Sequence, residues 1–253
     1  MRVAAVAIAL ACTALGAQPG DPHPFAVGEK LSYNAHAGPG INGHAEMWID
    51  GPFEMQGVSA ILLHSSFSAK VGFLSVTDNT TSWVDPMRMA TLRYVKEERH
   101  LLARHNEDVS LSNASRQWTA ADGRSGTSPS DDPLDELSFI YALRGFALPE
   151  DSMVVLNRHF DAERNPTTLR LVGRGVVTTP AGTFDTREIE MRVRDSRRYR
   201  GEGLLRISLS DDPCRRPVRI ESSIPGAGTV VMTLTSAVPA IAACAPRVDA
   251  PSR

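Results

Sequence analysis

The chain has 253 residues, of which 42% are hydrophobic and 22% are charged, and its formal net charge is −2. These values are ordinary for a globular protein and exclude a chain that is disordered throughout, because enough apolar surface is available to build a core. The charge balance gives no indication of the clustered basic face by which proteins bind nucleic acid, so we expect no nucleic-acid partner.

The N-terminus has the pattern of a secretory signal peptide. Arg2 supplies a positive charge, residues 3–15 form an almost unbroken run of apolar and small residues, and small residues end the pattern. The run is shorter than the roughly 20 residues that a membrane-spanning helix requires. We therefore predict a signal peptide over residues 1–17, a flexible linker over residues 18–24, and a periplasmic or secreted mature protein without a transmembrane segment.

The cysteines bear on lipidation and on a disulfide. Cys12 follows Ala9-Leu10-Ala11, whereas a lipobox places its larger aliphatic residue three positions before the cysteine, so a lipoprotein is the less favoured alternative. Removal of the leader leaves Cys214 and Cys244, and an even number of cysteines in an oxidising compartment indicates a disulfide. Closing this loop would stabilise the fold by about 3–4 kcal/mol in the chain-entropy description. Two free buried thiols are the alternative.

After the linker, apolar and polar residues alternate with a period of two. The alternation is clear over residues 30–33, 46–50, 189–194, 205–210 and 230–235, and Gly, Pro and Asp turns separate such runs. A strand with one apolar face and one polar face is typical of antiparallel sheets. We predict a mainly β fold, a curved antiparallel sheet of about a dozen strands arranged as a half-barrel, barrel or sandwich. This single domain would span residues 25–238, with a C-terminal tail over residues 239–253.

One segment departs from the strand pattern and predicts a single inserted α-helix near residues 133–145. Asp132 is the expected N-cap, Pro133 the expected first helical residue, and Gly145 the expected end. Apolar residues cover most of the circumference of this helix, so we expect it to be buried. The Ser- and Gly-rich residues 124–130 before it predict a flexible loop.

No metal or cofactor motif is found in the sequence. The seven histidines are scattered, and neither an HExxH nor a CxxC pattern occurs. His36 and His44 could meet across a hairpin, but no third ligand can be assigned, so we interpret them as solvent-facing. We predict no metal site and no cofactor.

Two charged segments are candidates for a functional role, an aspartate pair and a run of arginines. Asp211 and Asp212 could act as general acid and base, but Asp-Asp-Pro is also an ordinary turn sequence, and we favour the turn. A GxSxG nucleophile motif is absent from the sequence, so no catalytic residue is predicted. The arginines of residues 192–200 could contact anionic headgroups or glycans, but nearby acidic residues favour a solvated hairpin tip.

Four stretches together resemble a known bacterial family. They are residues 25–33 (FAVGEKLSY), 137–144 (LSFIYALR), 177–184 (VTTPAGTF) and 207–218, which contains ISLSDD and RPV. Their order and spacing are similar to those of the domain of unknown function 3108 family of exported proteins, over roughly Phe25 to Ser236. The resemblance implies an envelope protein with a curved antiparallel sheet, and it implies no activity and no catalytic residues.

Three functions are compatible with these features. The favoured hypothesis is non-enzymatic binding of an apolar or amphipathic ligand, a lipid or glycolipid, on the inner face of the curved sheet, with the helix covering it. The alternative is a hydrolase that acts on a cell-wall glycan or lipid through Asp211 or Asp212. A structural or scaffolding role in the envelope is the third hypothesis. The sequence does not specify an oligomeric state.

Overall fold

The computed structural model of the protein describes residues 23–244 except 39–40, 73, 101–102, 151–152, 227 and 242–243. The predicted signal peptide, most of the linker and most of the C-terminal tail lie outside the described residues and stay predictions. Within these ranges, no helix combines the length and the apolar character needed to cross a bilayer.

The described residues form fourteen strands that pair into one open antiparallel sheet. The first eight are β1 (Lys30–His36), β2 (Asn42–Met55), β3 (Val58–Val71), β4 (Leu74–Asp85), β5 (Ala90–His100), β6 (Ala103–Ser112), β7 (Gln117–Ala120) and β8 (Ser125–Thr127). The helix α1 (Glu136–Gly145) follows. The remaining elements are β9 (Met153–Leu156), a 3-10 turn (Ala162–Arg164), β10 (Thr167–Thr179), β11 (Gly182–Arg194), β12 (Glu202–Ser210), β13 (Pro217–Ile224) and β14 (Gly228–Val238).

The strand order places the two ends of the chain at the centre of the sheet. The order is β8-β7-β6-β5-β4-β3-β2-β1-β14-β13-β12-β11-β10-β9, so β1 pairs with β14 and the edge strands are β8 and β9. The chain runs outward hairpin by hairpin to one edge, crosses through α1 to the other edge and returns inward. The helix is therefore the element that connects the two halves of the sheet.

The segments beside the two edge strands are held together. Leu134 and His159 form an isolated parallel bridge, in which the backbone N–H of Leu134 donates to Arg158 O at 2.6 Å and that of Phe160 donates to Leu134 O at 3.0 Å. The Phe160 ring then packs edge-on against Trp118 of β7, at a centroid distance of 5.6 Å. These contacts join the segments that follow the two edge strands.

The sheet curves strongly, since strands far apart in the sheet order meet face to face. Arg198, in the loop between β11 and β12, forms an ion pair with Glu98 of β5. Arg164 Nη2 lies 3.8 Å from the Glu107 carboxylate of β6. The main hydrophobic core likewise combines side chains of β1–β4, β10–β14 and α1. The predicted curved, mainly antiparallel architecture is confirmed.

The predicted alternation is clear in β1, β2 and β11, whereas β12 departs from it. Leu31 and Tyr33 are buried and the flanking Lys30 is exposed, as a pleated strand with one dry face requires. In β12, Ser208 and Ser210 are expected on the polar face but are both buried. The Ser210 hydroxyl donates to Asp212 Oδ1 at 3.0 Å and accepts the backbone N–H of Arg216 at 2.8 Å. A buried serine is tolerated here because its hydroxyl is fully hydrogen-bonded.

The helix begins three residues later than predicted. Asp135, rather than Asp132, is the N-cap, and its carboxylate accepts the backbone N–H groups of Leu137 and Ser138. The Ser138 hydroxyl in turn accepts the Asp135 N–H, which completes a capping box. Pro133 lies in extended backbone, where its carbonyl accepts the N–H of Thr91. The tertiary hydrogen bonds of residues 133–134 therefore exclude them from the helix.

The predicted loop over residues 124–130 contains the short edge strand β8. Gly126 lies opposite Trp118 in the register of β7 and β8. A Cβ atom at Gly126 would lie 2.8 Å from the indole ring, so the glycine leaves room for the tryptophan to cover the edge strand. Close packing against Trp118 therefore explains the glycine at position 126.

Arg144 anchors the C-terminal end of α1 in the core. Its side chain is fully buried and donates a bidentate pair of hydrogen bonds to Glu29, at 2.5 and 2.8 Å. Nη2 also donates to the carbonyl oxygens of Cys214, at 2.9 Å, and Pro24, at 3.0 Å. The helix is thus connected to the segment before β1 and to the turn between β12 and β13.

That turn is further held by the predicted disulfide. Cys214 and Cys244 are bonded in the structure, with a Cα–Cα distance of 5.5 Å and a sequence separation of 30 residues. Cys244 lies beyond β14, so the covalent bond fixes the start of the C-terminal tail against the turn that Arg144 contacts.

Replacing Arg144 should leave the Glu29 carboxylate buried without a counter-charge. We predict that Arg144→Met lowers the free energy of unfolding by about 3–5 kcal/mol. Lys30→Met is the matched control, because its ion pair with Glu46 is half-exposed and should contribute about 1 kcal/mol or less. Urea denaturation measures both, and equal losses in the two variants would contradict the anchoring role of Arg144.

Candidate functional site

The curved sheet and α1 enclose a cavity of about 980 Å³. Its walls are inner-face residues of β3–β6 on one side and of β10–β14 on the other, and the exposed part of α1 closes its inner end. This volume lies within the range of small-molecule binding sites. We refer to it below as the barrel cavity.

Much of the lining of the barrel cavity is apolar, and we refer to this part as the apolar wall. It combines side chains from both sides of the sheet and from α1: Phe67, Val76, Phe139, Ile140, Met191, Val193, Leu205, Ile224 and Val230. Several of these side chains pack against the core while remaining partly exposed, because the cavity rather than another side chain lies in front of them. This wall matches the apolar chain of an amphipathic molecule.

The polar part of the lining, the charged wall, is a network of ion pairs centred on Glu136, the first residue of α1. Its carboxylate accepts hydrogen bonds from Lys96 Nζ at 2.8 Å, Arg164 Nη1 at 2.5 Å and the Tyr94 hydroxyl at 3.0 Å. Arg164 also pairs with Asp195 at 2.8 Å. The capping box therefore aims Glu136 into the cavity, where β5 and the 3-10 turn provide its cations.

The pKa of Glu136 reflects this environment. Burial would raise the pKa of the carboxyl, but the adjacent Lys96 and Arg164 cations outweigh burial and hold its pKa well below the ordinary value. Glu136 is thus ionised and holds the side chains of Lys96 and Arg164 in place through its ion pairs. A general acid at neutral pH would need the opposite shift.

His159 is the most deeply buried histidine of the barrel cavity lining and is 5% exposed. Its Nδ1 accepts the backbone N–H of Asp161 at 3.0 Å, so the proton of the neutral ring is on Nε2. Burial, assisted by the positive charge of Arg164, lowers the pKa of His159 to about 3. Nε2 has no hydrogen-bond partner among the described residues. The unpaired N–H of this neutral ring is buried, with almost no accessible surface of its own.

A possible metal-binding group also borders the cavity. The ligand atoms of Asp78, Glu98 and His100 lie within 4.8 Å of one another. Asp78 is already hydrogen-bonded to His100 at 2.5 Å, and Glu98 is already paired with Lys96 at 2.9 Å. A cation would have to displace these partners, so no metal is assigned to the group.

The two aspartates of the hydrolase hypothesis border a separate shallow depression of about 560 Å³. Asp211 pairs with Arg174 at 2.6 Å and with Arg187 at 2.7 Å. Asp212 accepts the backbone N–H of Cys214 at 2.8 Å and so organises the turn. Both carboxylates have structural partners, and the arrangement favours the turn interpretation over acid–base chemistry.

The remaining sequence candidates divide between surface and cavity. His36 and His44 are exposed, and His36 bonds to Asn42 across the hairpin at 2.6 Å. Arg194 pairs with Glu202 at the hairpin, as predicted. Both Arg194 and Arg198 line the barrel cavity, and Arg198 also reaches across to β5, which the solvated-tip interpretation missed. Its role depends on sheet curvature, for which the sequence carries no local signal.

The low pKa of His159 predicts a specific loss of stability in acid. The unfolded ring takes up a proton near pH 6.5 and the folded ring near pH 3, so the unfolded state binds more protons between these values and stability falls as the pH falls through them. From this group alone we expect a loss of about 2 kcal/mol between pH 6.5 and 5.

The test compares unfolding free energies at pH 7 and 5 for the wild type and His159→Asn. The asparagine oxygen can still accept the Asp161 N–H, and the variant should show the smaller acid loss. His44→Asn, at an exposed strand position, is the control and should behave as the wild type does. The same acid loss in all three proteins would refute the assignment of a buried neutral His159.

A solved structure with this architecture is known. A beta-barrel-like protein of domain of unknown function DUF1849 from Brucella abortus is 12% identical, with a TM-score of 0.59, and the match covers 85% of this chain and 98% of that one. At this identity the likeness shows the fold alone. A "putative lipoprotein" from Parabacteroides distasonis (10% identity, TM-score 0.37) and a "putative exported protein with YmcC-like fold" from Bacteroides fragilis (11%, 0.36) match over the same shares of both chains. These two carry no further argument.

By sequence, none of the curated proteins matches the chain. The family described as "Protein of unknown function (DUF3108)" matches over residues 32–235, which is most of the chain and contains the greater part of the four stretches quoted above. The chain therefore belongs to the DUF3108 family of proteins of unknown function.

Proposed function

We propose that the protein binds an amphipathic ligand of the lipid or glycolipid class in the barrel cavity, without chemical turnover. The observation that carries the proposal is a cavity of about 980 Å³ whose lining combines many apolar side chains with a cluster of charged and hydrogen-bonding groups. An acyl chain against the apolar residues and a polar head against the charged cluster would satisfy both.

The apolar wall supports binding because exposed apolar surface is unfavourable in an empty, hydrated cavity. Phe67, Ile140 and Leu205 are partly exposed beside the core. Covering such side chains contributes roughly 25 cal/mol for each Å² removed from water. A chain of methylene groups is the simplest ligand that gains this contribution along several strands.

The polar groups support binding rather than catalysis. The carboxylates of the barrel cavity are held in ion pairs, and Asp211 and Asp212 are held by arginines and by a turn. Neither site brings a nucleophile and a general base together among the described residues, which acyl or glycosyl transfer would need.

We also infer that the protein works outside the cytoplasm, in the periplasm or as a secreted protein. The N-terminal pattern of residues 1–17 supports export. The disulfide between Cys214 and Cys244 supports an oxidising compartment. An envelope location would expose the cavity to lipids and glycolipids.

Blocking the cavity should abolish binding. Val76 lines the cavity from β4, and Val76→Trp would place an indole among the apolar side chains. We predict that the affinity for the apolar fluorescent probe N-phenyl-1-naphthylamine falls at least tenfold, which is about 1.4 kcal/mol. The matched control is Val176→Trp, because Val176 of β10 is 65% exposed and does not line the cavity.

Fluorescence titration of the two variants and the wild type measures whether the probe binds in the barrel cavity. Native mass spectrometry of protein purified without detergent should also show a bound mass that Val76→Trp lacks. Wild-type protein that neither binds the probe nor carries an extractable lipid would rule out the proposed function.

A further inference from the structure

The barrel cavity opens at one end of the sheet, between the described residues of five hairpins. Alternate connections of an antiparallel meander lie at the same end, so β1–β2, β3–β4, β5–β6, β11–β12 and β13–β14 turn at one end of the sheet. Residues in or beside each of these hairpins line the cavity, among them Ile41, Ala69, His100, Arg198 and Pro225. Because α1 closes the inner end, we call these five connections the mouth hairpins.

Positive charge is in excess at the mouth hairpins. Counted from the last two residues of one strand to the first two of the next, their described residues include seven Lys and Arg side chains but two carboxylates. The same count for the five hairpins of the opposite end, β2–β3, β4–β5, β6–β7, β10–β11 and β12–β13, gives four of each. The charge is thus balanced at one end of the sheet and basic at the end where the cavity opens.

Most of this positive charge has no counter-charge. Three of the seven cations are paired with carboxylates: Arg194, Arg197 and Arg198. The other four are exposed and form no ion pair within the part of the chain that the structure describes: Lys70, Arg99, Arg104 and Arg200. Both carboxylates of the mouth hairpins, Asp195 and Glu202, are already paired. We refer to the four unpaired cations as the basic rim.

Two members of the basic rim face each other directly. Arg99 of β5 and Arg104 of β6 are opposite each other in the strand register. They lie on the outer face, since their neighbours His100 and Ala103 line the cavity. Like charges directly opposite each other destabilise a sheet. A negatively charged surface in front of the mouth would remove this repulsion.

Building on the proposed function, we propose that the mouth hairpins dock on an anionic lipid bilayer, so that the amphipathic ligand passes between the bilayer and the barrel cavity. The basic rim meets the lipid phosphates, and Ile41 and Pro225 at the mouth lie against the interface. Each basic side chain near an anionic bilayer strengthens binding about fivefold. A bilayer contacts several hairpins around one opening at the same time, and it also holds the class of ligand proposed for the cavity.

Sedimentation with lipid vesicles tests the docking on the wild type, and protein in its exported form excludes a contribution of the predicted leader. We expect at least tenfold tighter binding to vesicles of phosphatidylcholine with phosphatidylglycerol than to phosphatidylcholine alone. Raising the ionic strength from about 0.05 M to about 0.5 M should release the protein, because the screening length falls to a few ångströms. Equal binding to both vesicle types, or none, would overturn the docking and leave the proposed function, which a soluble probe tests, standing.

Variants assign the docking to the mouth. The double variant Arg99→Gln, Arg104→Gln should lose at least tenfold in affinity for the anionic vesicles. Its affinity for N-phenyl-1-naphthylamine in solution should match that of the wild type, because neither arginine lines the cavity. The matched control Arg88→Gln, Arg116→Gln removes the same charge at the opposite end and should bind vesicles as the wild type does. Equal losses in both double variants would overturn the location of the docking surface.

A soluble polyanion distinguishes a bilayer from an anionic glycan. Immobilised heparin should retain the wild-type protein less strongly than anionic vesicles do, so that it releases the protein at a lower ionic strength. Retention on heparin at an ionic strength that releases the vesicles would overturn the bilayer as the partner and favour a glycan.

Discussion

The position of α1 depends on one buried interaction, the bidentate pairing of Arg144 with Glu29. The guanidinium has no contact with solvent, and the carbonyl oxygens of Cys214 and Pro24 accept its remaining hydrogen bonds. Phe25 and Tyr141 pack their rings within 6 Å of its charged carbon. An ion pair in such a place contributes less to net stability than to specificity, because a misplaced helix would leave two buried charges unpaired.

The N-terminal end of α1 is held as specifically as the other end. The buried carboxylate of Asp135 accepts the hydroxyl groups of Ser82 at 2.8 Å and Thr91 at 2.7 Å, besides capping the helix. A helix of ten residues fixed at both ends cannot rotate, so Glu136 must face the cavity while Leu143 must face the core. The same anchors that complete the fold therefore place the charged wall of the proposed ligand site.

Local patterns predicted the elements, and tertiary contacts decided what the patterns left open. Alternation identified strands such as β1, because a pleated strand with one buried face requires apolar and polar residues to alternate. The helix was predicted, but both Asp132 and Asp135 have the chemistry of an N-cap, and the tertiary hydrogen bonds of Pro133 and Leu134 select between them.

The candidate site was less predictable from the sequence than the fold. His159 lies in an irregular segment without periodicity, and its unpaired N–H exists only because the Leu134 bridge and the 3-10 turn bury it. From the sequence, Arg198 was interpreted as a solvated arginine of an arginine-rich hairpin. In the structure it pairs with Glu98, because the curvature of the sheet brings β5 close to this hairpin. A site formed by residues from distant strands leaves no recognisable spacing between those residues in the sequence. The helix that begins at residue 136 could nevertheless be predicted, and the site forms around it.

Hydrogen–deuterium exchange of the wild-type protein, followed by mass spectrometry, tests the anchored helix most directly. If buried interactions at both ends fix α1 as the wall of the cavity, amides of residues 139–145 should exchange as slowly as those of the central strands β1 and β14, through global unfolding. Rapid exchange of the helix while those strands stay protected would contradict the account, because a loosely held helix could not position either wall of the cavity.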